Sequence, residues 1–242
     1  MFSPQGPTLR ELAGQALSST RAGYDLLAPK FDHTPYRTPD RVLTAVAGAL
    51  RPLGPFGAGL DLCCGTGAGT GMLRELCTRR VTGVDFSAGM LARAAAAHPP
   101  RPGAPRPEWV RADARQLPFT GAFDLAVSFG AFGHFLPRER PALFAGVRRA
   151  LRPGGRFVFP VAAPPPVGSV PYWALWGFDT AMRARNLLRR PPFVMYYRTF
   201  RLPDVVRELT AAGFSVTAPP LAALGTRPDG APRCRLVTAR RD

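Results

Sequence analysis

Between Gly57 and Val161 the sequence alternates short apolar runs with segments of helical character, and this alternation constrains the fold more than any other feature. The apolar runs "AGLDLCC", "RVTGVD", "EWVRAD", "FDLAVSF" and "GRFVFPV" predict five strands. Helices are predicted between them, over Gly69 to Arg79, "SAGMLARAAAA" and "RERPALFAGVRRAL". Strands that alternate with helices form βαβ units, so the sequence predicts a parallel sheet with helices on both faces.

The segments on either side of this core extend the prediction. Leu9 to Leu50 has a helical pattern that is broken at Pro29, Pro35 and Pro39. After the core, "LPDVVRELTAAG" predicts a helix, and "FSVTA" and "CRLVTAR" predict two closing strands. The stretch "HPPRPGAPRP" predicts an exposed loop, in which His98 is expected to be solvated.

The turn "CCGTGAG" between the first strand and the first helix indicates a ligand site. Gly65 and Gly67 let the backbone come close to a ligand, and the helix start presents unpaired N–H groups. Asp61, Asp85 and Asp113 lie near the ends of three consecutive predicted strands. Ligands of open α/β sheets bind at these carboxyl ends, so the pattern favours a nucleotide-like cofactor.

A nicotinamide dinucleotide is the alternative ligand for this loop. Its fingerprint ends in Gly, whereas the stretch from Gly65 to Thr70 has Thr at the last position. An acid just ahead of the glycines also suits a pyrophosphate poorly. It suits a ligand that carries an ammonium group and a positively charged sulfur.

The cysteine pattern predicts neither a disulfide framework nor a metal site. The four cysteines include no paired C-x-x-C spacing, and they are Cys63, Cys64, Cys77 and Cys234. Adjacent cysteines rarely bridge, because disulfide geometry strains the peptide between them, so Cys63 and Cys64 are predicted to be small buried side chains under the loop. With no secretory signal and no apolar run of about 20 residues, the expected location is cytoplasmic.

Five motifs in series, "LDLCCGTG", "VTGVDFSAGML", "ADARQLPF", "FDLAVSFGAFGHF" and "LRPGGRFVF", resemble the class I S-adenosylmethionine-dependent methyltransferases. The likeness is to the small-molecule branch that includes the ubiquinone/menaquinone-biosynthesis type, methyltransferase type 11. It covers Tyr24 to Val161 well and the closing strands loosely. It implies a doubly wound, Rossmann-like α/β fold with a seven-stranded sheet whose last strand is antiparallel.

The whole chain of 242 residues is interpreted as one such domain. Residues 1–51 are expected to form a helical N-terminal lid and residues 52–161 the cofactor-binding core. Residues 162–202 are expected to form an aromatic and basic cap inserted after the fifth strand. Residues 203–242 supply the closing helix and strands.

The resemblance also implies the residues that bind the cofactor S-adenosyl-L-methionine. Asp61 and the glycine loop would hold its methionine end, Asp85 the ribose hydroxyls, and Asp113 the adenine amino group. Tyr24 would close over it, and Cys63 stands where the family usually has Gly or Ala. The complete implied set is Tyr24, Asp61, Cys63, Gly65, Gly67, Asp85, Phe86, Ala112, Asp113, Ala114, Ser128 and Phe129.

Two histidines are candidate catalytic residues. Methyl transfer needs alignment of the acceptor, and a neutral acceptor also needs a base. His134 follows the fourth strand, near the expected sulfonium, and is the first candidate as base or orienter, with a structural hydrogen-bonding role as the alternative. His33 on the lid is the second candidate. A carbon acceptor or a preformed anion would need neither.

The charge and the aromatic residues indicate what the cap contacts. The formal net charge is +16, and from Arg140 to Pro203 eleven arginines face a single acid, Asp179. Such an excess favours an anionic partner. All five tyrosines lie outside the stretch from Pro52 to Val161, as suits the mouth of a ligand site or the seal of the insertion onto the core.

Three interpretations of the aromatic and basic stretch from Val170 to Arg201 compete. It can cap a pocket for an apolar or anionic small molecule. It can be an interfacial helix that dips Trp and Leu into lipid, giving peripheral membrane contact, with its arginines at the headgroups: Arg183, Arg185, Arg189 and Arg190. It can also bind RNA, with Arg on phosphates and aromatic rings stacked on bases.

The sequence lacks the usual marks of nucleic-acid methylation. Neither an Asn/Asp-Pro-Pro-Tyr motif nor a Pro-Cys nucleophile follows the fourth strand. Ribose or ring-nitrogen methylation of RNA stays open. The function expected from the sequence is therefore methyl transfer to a small, apolar or aromatic acceptor. An RNA methyltransferase and a non-catalytic cofactor-binding scaffold are the alternatives, and no feature predicts an oligomeric state.

Overall fold

The computed structural model describes residues 4–242, so the first three residues of the predicted lid lie outside it. Its seven strands are β1 (Phe56–Leu62), β2 (Cys77–Asp85), β3 (Pro107–Arg111), β4 (Phe123–Ser128), β5 (Leu151–Ala162), β6 (Phe214–Thr217) and β7 (Cys234–Arg241). They form one sheet in the order β3-β2-β1-β4-β5-β7-β6. β1 to β5 pair in parallel, and β7 runs antiparallel to both of its neighbours. The predicted doubly wound sheet with an antiparallel last strand is confirmed.

The helices are α1 (Leu9–Leu17), α2 (Thr20–Leu27), α3 (Asp40–Leu50), α4 (Ala68–Leu73), α5 (Ala88–Ala97), α6 (Arg140–Ala150), α7 (Val170–Leu188) and α8 (Leu202–Ala211). Prolines separate several of them as predicted. Pro29 lies in the 3-10 turn Ala28–His33 after α2, and Pro39 directly precedes α3. None of the helices in residues 4–242 is long and apolar enough to cross a membrane.

Two apolar clusters cover the two faces of the sheet. On one face α6 and α8 pack on the sheet through side chains such as Phe144, Phe157 and Leu209. On the other face α3 and α4 pack through Val46 and Leu73. Because both faces are covered, the central strands are apolar at nearly every position, as is typical of parallel sheets. A polar residue in such a strand is therefore an exception that needs a reason.

The helix predicted over Gly69 to Arg79 is wrong in its second half. α4 ends at Leu73, and Cys77 already pairs with Phe56 as the first residue of β2. Two tight turns, closed by the N–H groups of Glu75 and Leu76, separate the two elements. Strand pairing with β1 thus overrides the local helical pattern.

Candidate active site

The loop between β1 and α4 has a conformation that requires glycine. Gly65 and Gly67 have φ angles of 53° and 90°. A Cβ atom at Gly67 would lie 2.7 Å from Cδ2 of His98 and 3.0 Å from Cη2 of Trp109. The loop is thus closely backed by these rings, and the helix that follows presents its free N–H groups at the carboxyl edge of the sheet.

Asp61 is the polar exception within the central strand. Its side chain is 1% exposed, and one carboxylate oxygen accepts a hydrogen bond of 2.9 Å from the Thr70 hydroxyl. Burial raises the pKa of Asp61 to about 7, opposed by the bonds from Thr70 and assisted by the negative charge of Asp85. A cation bound at this loop would offset the cost of ionising the buried acid.

Asp85 joins the end of β2 to the loop. Its two oxygens accept from the backbone N–H groups of Gly65 and Ser87, each at 2.9 Å. Burial raises the pKa of Asp85, while these backbone hydrogen bonds oppose the rise. Two buried carboxylates therefore lie at adjacent strand ends, and neither has a cationic side chain as a partner among the ion pairs of residues 4–242.

Asp113, after β3, is in a different environment. It is partly exposed, and Arg115 binds it with Nε at 2.9 Å from one oxygen. The hydrogen bonds from Arg115 lower the pKa of Asp113. The adjacent Ala112 donates its N–H to the carbonyl of Asp85 at 3.1 Å, and Ala114 is buried. This edge of the site is therefore tied to the end of β2.

The aromatic lid residue Tyr24 is half-buried beside the cofactor-site residues. Its ring contacts those of Phe86 and Phe31, with centroids 6.3 and 6.2 Å apart. Its hydroxyl lies 2.7 Å from Nε2 of His134. The structure thus brings the predicted residues Tyr24, Phe86 and His134 together.

The hydrogen bonds of His134 define its tautomer. Nδ1 lies 2.7 Å from the carbonyl oxygen of Val194, which can only accept, so Nδ1 carries the proton. Nε2 then accepts a hydrogen bond from the Tyr24 hydroxyl. Burial lowers the pKa of His134 and raises that of Tyr24, so the pair stays neutral. With both ring nitrogens engaged, His134 holds the Tyr24 hydroxyl in place.

The second histidine candidate, His33, lies exposed at the end of the 3-10 turn Ala28–His33. Its neighbour Asp32 accepts a hydrogen bond of 2.6 Å from the hydroxyl of Thr66 in the glycine loop. The turn therefore rests on the loop. A catalytic role for His33 stays a prediction.

The prediction that His98 is solvated is wrong. His98 is half-buried, and it packs against Gly67 and Gly71 with its ring 6.1 Å from that of Trp109. Its N–H caps α5 by bonding to Ala94, which turns the side chain back toward the loop. The absence of side chains at the two glycines leaves the space that the imidazole occupies.

Several other predicted residues lie under the site. Cys63 has a left-handed φ of 55°, and burial raises the pKa of its thiol and of that of Cys64. Ser128, at the end of β4, donates its hydroxyl to the carbonyl of Leu62 at 2.9 Å. Phe129 packs against the cluster beneath α3 and α4. Among residues 4–242, no group of three or more His, Cys, Asp or Glu could hold a metal ion.

The sequence analysis missed the acids that dock the lid. Asp25 in α2 accepts from the Ser87 hydroxyl at 2.6 Å and from the Gly89 N–H at 2.9 Å. Asp25 therefore accepts from an N–H group in the first turn of α5, and Asp32 bonds to the glycine loop through the Thr66 hydroxyl. Asp25 directly follows Tyr24 and Asp32 lies seven residues after Asp25, so their closeness in sequence to the predicted aromatic lid residue was the available signal.

A cavity of about 490 Å³ lies where β5 ends, between α7 and the segment that precedes β7. Its walls include Tyr172, Leu175, Tyr197 and Phe200. Phe200 stacks on Phe132 at 4.2 Å, in the turn that carries His134. The Tyr197 phenol is near enough to Tyr24 to raise its pKa further.

The donor set fits a cofactor that carries positive charge. Asp61 and Asp85 are buried acids with raised pKa values beside a glycine loop and a free helix start. A neutral or anionic ligand would leave the ionisation cost of these acids uncompensated, whereas an ammonium or sulfonium group lowers it. The cavity between α7 and the segment that precedes β7 offers separate space for a second molecule.

Comparisons with known proteins agree with this geometry. Residues 60–155 match a family described as a methyltransferase domain. The demethylmenaquinone methyltransferase of Thermus thermophilus is 40% identical over 167 residues, which cover 65% of this chain and 74% of the relative. The UbiE ubiquinone/menaquinone biosynthesis C-methyltransferase of Desulfotalea psychrophila is 32% identical over 164 residues, covering 65% and 55%.

Solved structures show the same fold. The DhpI-SAM-HEP complex has a TM-score of 0.63 at 22% identity, and the match covers 97% of this chain and 100% of DhpI. This chain spans about half the length of several of the curated relatives that it matches.

Proposed function

Because this chain belongs to the class I S-adenosylmethionine-dependent methyltransferases, we propose that it transfers a methyl group to a small apolar or aromatic acceptor by in-line displacement. The observation that carries the proposal is the pair of buried, unneutralised carboxylates at the glycine loop, in a chain that also has a separate cavity with aromatic walls. We also propose that residues 1–51 act as the lid and residues 162–202 as the cap of one domain. A cytoplasmic location stays a prediction.

The carboxylates would hold the cofactor by charge. Bound S-adenosyl-L-methionine supplies an electrophilic methyl group on a positively charged sulfur. Asp61 and the loop around Gly65 and Gly67 would bind the methionine end, and Asp85 the ribose hydroxyls. Asp113 would accept from the adenine amino group. The burial of Asp61 and Asp85 strengthens their interactions, because the local dielectric constant is low, whereas Asp113 is partly exposed.

Tyr24 and His134 would orient the reactants. The Tyr24 ring contacts that of Phe86, and the charges of Tyr197 and Asp85 both raise the pKa of Tyr24 beyond the effect of its burial. His134 accepts a hydrogen bond from the Tyr24 hydroxyl and so fixes the direction of that group. The lone pairs of the hydroxyl oxygen are then available to a donor group on the acceptor. A direct role of His134 as the base would require the acceptor to displace Tyr24.

The cavity wall supports an apolar or aromatic acceptor. Most of its lining is apolar or aromatic, and its volume of about 490 Å³ lies within the range of about 300–1,000 Å³ typical of small-molecule sites. Phe200, which stacks on Phe132, and Tyr197 supply two of its aromatic walls. A flat ring entering there would pack on aromatic surfaces, which gain energy from offset or edge contacts.

Transfer of a labelled methyl group into an extract of the host cell tests this function. We expect label from S-adenosyl-L-methionine in the organic-solvent fraction, because the proposed acceptor is small and apolar. The Asp85→Ala variant serves as the control and should transfer little label. Label that disappears on ribonuclease treatment would instead support the RNA alternative. Cofactor binding without transfer into any fraction would support the scaffold alternative.

The outer face of α7 supports peripheral membrane contact as a further part of the proposal. Val170, Leu187 and Leu188 are 84%, 84% and 85% exposed. At helical spacing the solvent-facing side is apolar at all but two positions, Thr180 and Arg183. Its exposed apolar residues are Val170, Trp173, Ala174, Trp176, Gly177, Ala181, Ala184, Leu187 and Leu188.

Positive charge at the end of this face makes an anionic lipid surface the partner that fits it. Arg183, Arg189 and Arg190 are exposed at the C-terminal end of α7. Arg185 does not belong to this set, because it donates to the carbonyls of Ser18 and Pro191 at 2.9 and 2.7 Å. Tryptophan and leucine at the acyl boundary with arginine at the headgroups is the arrangement of an interfacial helix.

Vesicle sedimentation checks this contact. The chain should bind vesicles that contain phosphatidylserine and bind pure phosphatidylcholine vesicles weakly. Replacing Arg183, Arg189 and Arg190 by Gln should weaken binding at least tenfold, because each contributes about 1 kcal/mol near an anionic surface. As a control, replacing three exposed arginines outside the cap by Gln should leave vesicle binding unchanged, and these are Arg10, Arg93 and Arg106. Self-association through α7 without vesicle binding would contradict the proposal.

A further inference from the structure

The lining of the cavity beside α7 is positively charged. Its lining contains four arginines and no acidic residue, and the arginines are Arg198, Arg201, Arg227 and Arg235. Only Arg227 approaches a carboxylate, that of Asp229 at 3.7 Å. Within residues 4–242, the other three form no ion pair. A small apolar cavity thus contains several positive charges that the protein does not neutralise.

The structure holds these guanidinium groups in place with neutral partners. Arg198 lies 4.8 Å from the centroid of the Tyr172 ring and donates to the Tyr172 hydroxyl at 3.2 Å. Arg235 donates to the carbonyl of Ala218 at 2.9 Å. A guanidinium group has five N–H donors, so each keeps donors available after these contacts.

The backbone that carries Arg198 is also fixed. Asp179, buried in α7, accepts from the N–H groups of Tyr197 and Arg198 at 2.8 and 3.1 Å. The acid therefore orients the segment after α7 without forming an ion pair with Arg198. The only buried acid of the cap thus supports the wall of the cavity and leaves the charge of Arg198 for a ligand.

We propose that this cavity binds an acceptor with an anionic group, a carboxylate, sulfonate or phosphate, on an otherwise apolar body. This inference rests on the proposed function, of which it defines the substrate class. Arg198 and Arg235 would bind the anion, since guanidinium groups match the geometry of such oxyanions. The apolar body would extend along Phe200 and Tyr197 toward Tyr24.

A matched pair of fluorescent probes tests the charge requirement. 8-Anilinonaphthalene-1-sulfonate and N-phenyl-1-naphthylamine share one skeleton and differ in the sulfonate. We expect the full chain to bind the sulfonate at least tenfold more tightly. Replacing both Arg198 and Arg235 by Gln should remove this preference, weakening the sulfonate at least tenfold and leaving the neutral probe within twofold.

Three controls keep the test decisive. Replacing the exposed Arg10 and Arg93 by Gln should leave both probes unchanged. Replacing Arg198 and Arg235 by Lys, which keeps the charge, should restore a preference for the sulfonate and guards against a folding defect in the Gln variant. Calorimetric binding of S-adenosylhomocysteine should be the same in all variants, because the cavity lies apart from the carboxylates of the glycine loop.

Equal affinity for the two probes, or equal weakening of both in the Gln variant, would overturn the inference. That result would leave the proposed methyl transfer intact, since transfer to a neutral acceptor would still label the organic fraction. If no fraction contains labelled product while the chain still prefers the sulfonate probe, that result would instead contradict the proposed function. The two failures are therefore distinguishable.

Discussion

Replacing Asp85 by Ala weakens the binding of S-adenosyl-L-methionine at least tenfold, about 1.4 kcal/mol, in the result that we expect from calorimetry. The carboxylate is proposed to accept both ribose hydroxyls. It also accepts from the N–H groups of Gly65 and Ser87, so its removal loosens the loop that it anchors. The effect is large because the contact with the ribose and the preorganisation of the glycine loop are lost together.

One further variant and one control test this explanation of the lost affinity. Asp85→Asn keeps the size of the side chain and one acceptor oxygen, so it should fall between the native chain and Asp85→Ala. Asp242→Ala removes an exposed acid at the far strand β6, where it bonds to Ser215, and should bind the cofactor normally. If calorimetry gives Asp85→Ala an affinity within twofold of the native chain, the ribose site lies elsewhere.

The second large effect concerns the pH dependence of stability in the cofactor-free protein. Burial raises the pKa of Asp61 from 3.8 to about 7. Between these values the folded state keeps a proton that the unfolded chain has lost. The free energy of unfolding therefore falls as pH rises from about 4 to about 7, by an amount on the order of 4 kcal/mol.

Urea denaturation at pH 5 and pH 8 measures the part of this difference that lies above pH 5, about 3 kcal/mol. Asp61→Asn stays neutral at both pH values, so its loss of stability between them should be much smaller than that of the native chain. Asp242→Asn should behave like the native chain, because that acid is exposed. The same loss in Asp61→Asn and in the native chain would assign the pH dependence to other groups.

Cofactor binding should lower the pKa of Asp61, which burial raises in the cofactor-free protein. A cation at the loop lowers the pKa of the buried acid, so below about pH 7 binding releases a proton from it. Calorimetry in buffers of different ionisation enthalpy detects that proton, and Asp61→Asn should release less.

The strands and the acids at their ends could be predicted from the sequence because both signals are local. Apolar runs mark the buried strands, and Asp61, Asp85 and Asp113 follow from chain position alone once the sheet is parallel. The left-handed turn at Gly65 and Gly67 is likewise a property of a few consecutive residues. Such features need no knowledge of distant contacts.

The features that sequence reasoning missed depend on residues far apart in the chain. Strand β2 begins at Cys77 because β1 lies beside it, although the local pattern is helical. Asp25 contacts Ser87, and Phe200 stacks on Phe132, across long separations. His98 packs on Gly67 because α5 returns to the loop. These contacts become visible only when the elements are assembled.

A chain of hydrogen bonds between the lid and the cap connects the two proposed ligand sites. Tyr24 bonds to His134, which bonds to the carbonyl of Val194, and the N–H of Val194 bonds to the Thr20 hydroxyl at 2.9 Å. An acceptor that moves the segment around Val194 must therefore change the strain on the helix that carries Tyr24. Any effect of one ligand on the affinity of the other is then reciprocal, because linkage makes the two factors equal.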